Sequence, residues 1–182
     1  MKDKFHHLKY SLIHLFSYIQ KTIKHTAMLN QELIDHFYNS FKNKNAEAMI
    51  ACYHDDVEFS DPAFGLLKGS EAKSMWQMLI ERGKDSLQID YNTVSADSEN
   101  GKAKWIAHYN FGKSKRPVIN NVTATFEFKD EKIYKHKDSF DLKIWARQAL
   151  GPMSILLILT GQLEKTIQKQ SRGLLKAYME KK

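Results

Sequence analysis

The stretch Val118–Leu142, VINNVTATFEFKDEKIYKHKDSFDL, reads as two strands joined at Asp130 to Lys132, and it decides the fold. In the first strand Val118, Val122, Ala124, Phe126 and Phe128 share a face, opposite Asn121, Thr123, Thr125, Glu127 and Lys129. That alternation is the period-2 mark of a half-buried strand. Asn120 is the one polar residue on the apolar face. In the second strand Tyr134, Phe140 and Leu142 share a face with His136 and Asp138. Polar groups set among apolar ones on an inward face must find partners or lose stability, so they are the first candidates for a site.

Upstream, two more stretches alternate in the same way. Leu87, Ile89 and Tyr91 form one; Ala103, Trp105, Ala107, Tyr109 and Phe111 form the other, with Asn100-Gly101 expected as the hairpin turn between them. Val57 and Phe59 alternate with Glu58 and Ser60 in a short strand ended by Pro62, which puts Asp61 on the apolar face. His54, Asp55 and Asp56 read as a solvated turn before it. Three helices precede or interrupt these strands. Asn30 is placed to cap a stripe of Leu33, Ile34, Phe37 and Phe41, Asn45 a shorter helix through Ala48, Met49, Cys52 and Tyr53, and Ser70 a third with Ala72, Met75, Trp76, Leu79 and Ile80. Gly65 and Gly69 mark a loop.

The ends have a different character. Leu8, Leu12, Leu15, Phe16, Ile19 and Ile23 fall at helical spacing with Lys9, Lys21 and Lys24 between them. After Leu142 helical spacing returns with Ile144, Trp145 and Leu150, breaks at Gly151-Pro152, and resumes in an apolar run, Ile155 to Leu159, followed by a basic amphipathic tail. The net charge of +7 over 182 residues is carried by these ends, +4 in residues 1–29 and +6 in residues 143–182, leaving the centre at −3. An acidic centre excludes a nucleic-acid-binding core, in which cations cluster on the folded face. A single cysteine, Cys52, excludes an intrachain disulfide and fits a reducing, cytoplasmic setting. No apolar run reaches the roughly 18 to 20 residues of a membrane span, and the first helix lacks the cleavage pattern of a signal peptide.

The order of elements predicts an α+β domain: a cone-shaped, curved antiparallel sheet wrapped against about three helices, with extra N- and C-terminal helices. The expected boundaries are a basic extension over 1–29, the domain over 30–150 and a helical extension over 151–182. The cone's interior is expected to be a ligand cavity.

Tyr38 to Pro62, with its helix, Asn-rich turn, short helix, His-Asp-Asp, strand and Asp-Pro, resembles the opening of the nuclear transport factor 2-like superfamily. The Trp105 to Phe111 strand, the Arg116-Pro117-Val118 turn and the Phe140-Asp141-Leu142 strand end are similar to its SnoaL-like members, relatives of ketosteroid isomerases and limonene-epoxide hydrolases. The resemblance covers roughly residues 30 to 150 and implies cofactor-independent acid/base chemistry on a small organic molecule. It places Asp61 on the general base of the ketosteroid isomerases. Their oxyanion-hole Tyr and protonated Asp fall on Phe37 and Ala124, neither of which donates that hydrogen bond. Asp138 occupies a strand similar to the epoxide hydrolases' acidic position, without an inward Arg to complete their set.

From the residues themselves, Asp61, His136 and Asp138 are the expected acid/base groups, Asn120 a polar anchor, and Trp76, Trp105, Tyr109 and Phe140 the lining of the cavity. A desolvated carboxylate has a raised pKa and works as an acid or base near neutrality, and an imidazole titrates there in any case. The alternative at Asp61 is a carboxylate that caps the following turn; at His136 and Asp138 it is a satisfied core network. The histidines show no metal-ligand motif such as HExxH, so no metal or other cofactor is expected. Expected partners are a small apolar ligand, a second copy of the chain through the sheet's outer face, and a membrane surface through the basic ends.

Overall fold

The computed structural model describes residues 2–181, with side chains from residue 12 onward. Helices α1 (Lys2–Lys42) and α2 (Ala46–Ile50) lead into strands β1 (Tyr53–Asp61) and β2 (Gly65–Lys68). Helix α3 (Ser70–Gly83) is followed by β3 (Gln88–Ala96), β4 (Asn100–Phe111), β5 (Arg116–Lys129) and β6 (Lys132–Ser139). Helices α4 (Leu142–Leu150), α5 (Met153–Leu159) and α6 (Leu163–Met179) complete the chain. The six strands form one open sheet in the order β2-β1-β6-β5-β4-β3.

The expected α+β architecture is present, with one change of kind. The sheet is mixed: β1 lies parallel to β6, while every other neighbouring pair is antiparallel. The β5–β6 hairpin turns at Asp130 and Glu131, both at positive φ (49° and 58°), as a tight two-residue turn requires. Its register slips beyond Glu127 and Phe128, which pair with Lys135 and Ile133, so Tyr134 is the extra residue of a bulge. Ile133 therefore takes the inward place expected for Tyr134, and the tyrosine ring packs on His54 instead. Past the bulge the alternation holds, and His136 and Asp138 point inward.

Other boundaries moved for local reasons. The expected break before Asn30 is absent, and α1 runs straight through the 29/30 boundary. Asn30 is buried there and its amide donates to the Asp97 and Ser98 carbonyls. The β3–β4 turn is built by Asp97, whose carboxylate accepts from the Glu99 and Asn100 amides. Gly101 already belongs to β4, where a β-carbon would come within 2.5 Å of Ile34 Cδ1. Residues 54–56 are part of β1, and the loop expected at Gly65 to Gly69 forms β2, paired to β1 as a hairpin. Gly69 precedes α3, and Ser70 is its first residue and not its cap. Asn45 caps α2 through the Ala48 amide as expected.

The core lies between the concave face of the sheet and α1 and α3. Phe37, Tyr38, Phe41, Phe59, Trp76, Trp105 and Phe126 pack there ring against ring, with centroids 5.1 to 6.4 Å apart in the adjoining pairs. Among the described residues no helix is long and apolar enough to cross a membrane.

Candidate functional site

His136 and Asp138 lie on the inward face of β6 and are 1% and 3% exposed, so neither has water to satisfy it. They satisfy each other: His136 Nε2 is 3.0 Å from Asp138 Oδ1, and the Trp105 indole donates to the same oxygen at 3.2 Å. On the other side of the ring, His136 Nδ1 is 2.7 Å from Tyr53 Oη, which accepts from Trp76 Nε1 at 2.7 Å. The imidazole tautomer with its proton on Nε2, toward the carboxylate, lets Nδ1 accept the tyrosine proton while the tyrosine oxygen accepts from the indole. The chain Trp76, Tyr53, His136, Asp138, Trp105 is thereby satisfied throughout.

Burial, with the Asp138 charge behind it, pushes the Tyr53 and Tyr38 hydroxyls well above the usual phenol range. Tyr38 Oη is the one fully buried side-chain polar atom without a partner among the described residues. Such a group costs about 1 to 3 kcal/mol until an acceptor reaches it.

Asp61 is placed differently. It ends β1 at the start of the β1–β2 turn, half-buried, with Oδ1 accepting from the Phe64 amide at 2.6 Å. That is the turn-capping arrangement, yet the carboxyl also keeps a strongly perturbed proton affinity. Burial pushes its pKa up to about 7, the Phe64 amide opposes the rise, and the Asp138 charge adds to it. Capping and acid/base competence are therefore compatible in one residue.

Tyr109, half-buried on β4, has its hydroxyl pushed up chiefly by burial, and the Asp61 charge adds to the shift. The Trp145 indole on α4 donates to Tyr109 Oη at 2.7 Å, which leaves the phenol proton free to be offered elsewhere. Asp141 holds α4 in place by capping it through the Lys143 and Ile144 amides. Asn120 is half-buried on the inward face of β5, opposite Ala107, and Phe140 is half-buried after the end of β6.

The predicted site residues thus fall into two groups. Trp76, Trp105, His136 and Asp138 belong to the packed core; Asp61, Tyr109, Asn120 and Phe140 are less deeply covered. Electrostatics links the groups, because Asp61 feels Asp138 and Tyr109 feels Asp61. The C-terminal helices complete the surroundings of Asp61. Gln168 on α6 donates to the Pro62 carbonyl at 3.4 Å, and Arg172 donates to the carbonyls of Phe64 and Leu66. Two surface hollows along α6, one lined by Lys165, Lys169 and Leu174 and the other by Leu67, Arg172 and Leu175, include none of the predicted residues.

Three participants were not among the predicted site residues. Tyr53 is buried with Val57 and Phe59, but the register shift between Tyr53 and Glu58 and the exposed Asp55 break the alternation that would have marked it. Tyr38 sits four residues after Ile34 and three before Phe41, on the same helical stripe. No local pattern marks Trp145, whose bond to Tyr109 spans 36 residues. Among the described residues no group of three His, Cys, Asp or Glu is placed to hold a metal ion.

Comparison with known proteins agrees with the fold. A proposed polyketide cyclase from Xanthomonas campestris pv. campestris superposes with a TM-score of 0.57 at 18% identity, covering 68% of this chain and 98% of its own. An LEH-like epoxide hydrolase from M. tuberculosis gives 0.56 at 15% identity, over 74% and 98%. TerC, co-crystallised with polyporic acid, gives 0.58 at 14% identity, over 67% and 98%. No curated protein matches the chain in sequence. The model of the SnoaL-like domain matches residues 34–136, more than half of the chain, so the protein belongs to the SnoaL-like domain family.

Proposed function

We propose that the protein binds a small, largely apolar organic molecule against Asp61, Tyr109, Asn120 and Phe140 and catalyses proton transfer at carbon without a cofactor. The observation that carries this reading is the Asp61 carboxyl, poised at about 7 by burial and by Asp138. A base with that proton affinity is ionised in a large fraction near neutrality and still strong enough to take a proton from carbon next to a carbonyl. The free Tyr109 proton is the donor for the oxygen on which charge develops, and Trp145 is a positioning residue that orients it. Asn120 anchors a carbonyl, hydroxyl or water. The buried His136–Asp138 pair acts in this reading through the Asp138 charge, which sustains the basicity of Asp61.

The names of the structural neighbours, a proposed polyketide cyclase, an epoxide hydrolase and a protein holding polyporic acid, are consistent with isomerisation, cyclisation or epoxide hydration of such a molecule. A homodimer through the outer face of the sheet and membrane contact through the basic end helices belong to the same reading. The acid-free, cationic and exposed stretch of α1, residues 12–25, supports the latter.

The test uses 2-tetralone, an apolar ketone with an acidic C1–H bond, in deuterated buffer. Asp61 removes the proton, the enolate rests on the Tyr109 hydrogen bond, and the carboxyl, having exchanged with solvent, returns a deuteron. Exchange above the buffer rate, lost in Asp61→Asn, is the expected result; exchange unchanged in that variant overturns the role of Asp61. Binding without turnover is the second reading, favoured by the rings that fill the deep end of the cone. Saturable 2-tetralone binding with no exchange supports it.

A further inference from the structure

Helix α5 presents an exposed apolar face that the proposed chemistry does not use. Met153, Ile155, Leu156 and Leu159 are 70%, 55%, 66% and 79% exposed, while Ser154 on the opposite side is buried. From Gln148 to Leu163 there is no charged residue. Exposed cations stand at both borders, Arg147 in the last turn of α4 and Lys165 and Lys169 in α6, with Glu164 the single acid among them. The four side chains present on the order of 500 Å², a patch large enough to signify an interaction and short of the roughly 800 Å² per partner that a stable dimer buries. A second copy would also set like charges against each other, whereas an anionic bilayer complements them.

The place of α5 in the fold adds a consequence. It joins α4, whose Trp145 holds Tyr109, to α6, whose Gln168 and Arg172 hold the turn that follows Asp61. We infer that α5 is a membrane-docking element: it rests its apolar face in an anionic lipid surface, and the site takes an apolar substrate that is dissolved in that membrane. The substrate half of this inference rests on the function proposed above.

Cys52 is buried and its thiol is pushed up to about 11, so it stays unreactive, and a single new cysteine can be labelled in the 182-residue chain. Leu159→Cys carrying a nitrobenzoxadiazole probe reads insertion at α5 itself, whatever α1 does. The expected result is a blue-shifted, brighter emission on vesicles of phosphatidylcholine with phosphatidylglycerol, and little change on phosphatidylcholine alone. Adding Leu156→Glu, at an exposed position, should weaken the response at least ~10-fold with unchanged melting. No emission change on vesicles to which the protein sediments, an equal response on neutral vesicles, or a response to protein concentration without lipid each overturns docking at α5. For the substrate, Leu156→Glu with Leu159→Glu should keep exchange of 2-tetralone dissolved in buffer and lose exchange of the ketone supplied in vesicles. Equal loss from both overturns the delivery role, and absence of exchange in the parent protein counts against the proposed chemistry alone.

Discussion

A carboxyl that burial holds at about 7 makes folding depend on pH, and the sign is fixed. Asp61 binds its proton more tightly folded than unfolded, where the ordinary value is 3.8. Its stabilising contribution is therefore complete below about pH 4 and is lost as pH rises through 7. Asp61→Asn keeps an oxygen for the Phe64 amide and never ionises. The variant should melt higher than the parent at pH 8, by on the order of 1 to 4 kcal/mol, and the gap should narrow toward pH 5. Calorimetry across that range checks it, and a variant that melts lower at pH 8 contradicts it. At this scale much was legible beforehand: Asp61, His136 and Asp138 interrupt apolar faces, which sequence alternation reveals. Which of them water can reach was not legible, because the bonds of His136 to Tyr53 and of Asp138 to Trp105 cross 83 and 33 residues.

Elements were read well where alternation is regular and poorly where a local irregularity resets it. The bulge at Tyr134 is invisible to a period-2 reading, since one extra residue exchanges the faces of everything before it. The four residues of β2 between two glycines carry too little pattern to register as a strand. Gly101 was read from local turn chemistry, yet the reason for a glycine there is α1 lying across β4. Gly101→Ala drives its methyl toward Ile34 Cδ1 at 2.5 Å and Phe128 Cζ at 2.9 Å, and should cost about 1 to 3 kcal/mol. Ile34→Val removes the Cδ1 atom and leaves a void that the new methyl helps fill. Denaturant unfolding of the double variant should thus show less destabilisation than the two single changes added together, by roughly 0.5 kcal/mol or more. Strict additivity would place the strain elsewhere.

For the whole molecule, the cone joins two environments, a closed deep end and a less deeply covered group around Asp61 and Tyr109. Aromatic packing closes its deep end around the His136–Asp138 pair. The C-terminal helices cover the other group, fixing Tyr109 from α4 and the turn beyond Asp61 from α6. The resemblance legible between residues 30 and 150 pointed to the family whose model matches residues 34–136, but the reach of α4 and α6 to Tyr109 and to the β1–β2 turn depends on long-range folding that no short pattern encodes. All of this converges on the proton affinity of one side chain. Carbon-13 NMR titration of the aspartate carboxyls, with the Asp61 resonance assigned by its loss in Asp61→Asn, measures it directly. A midpoint near 7 is predicted; a midpoint near 4 would mean that Asp61 is a solvated turn cap and would contradict the account.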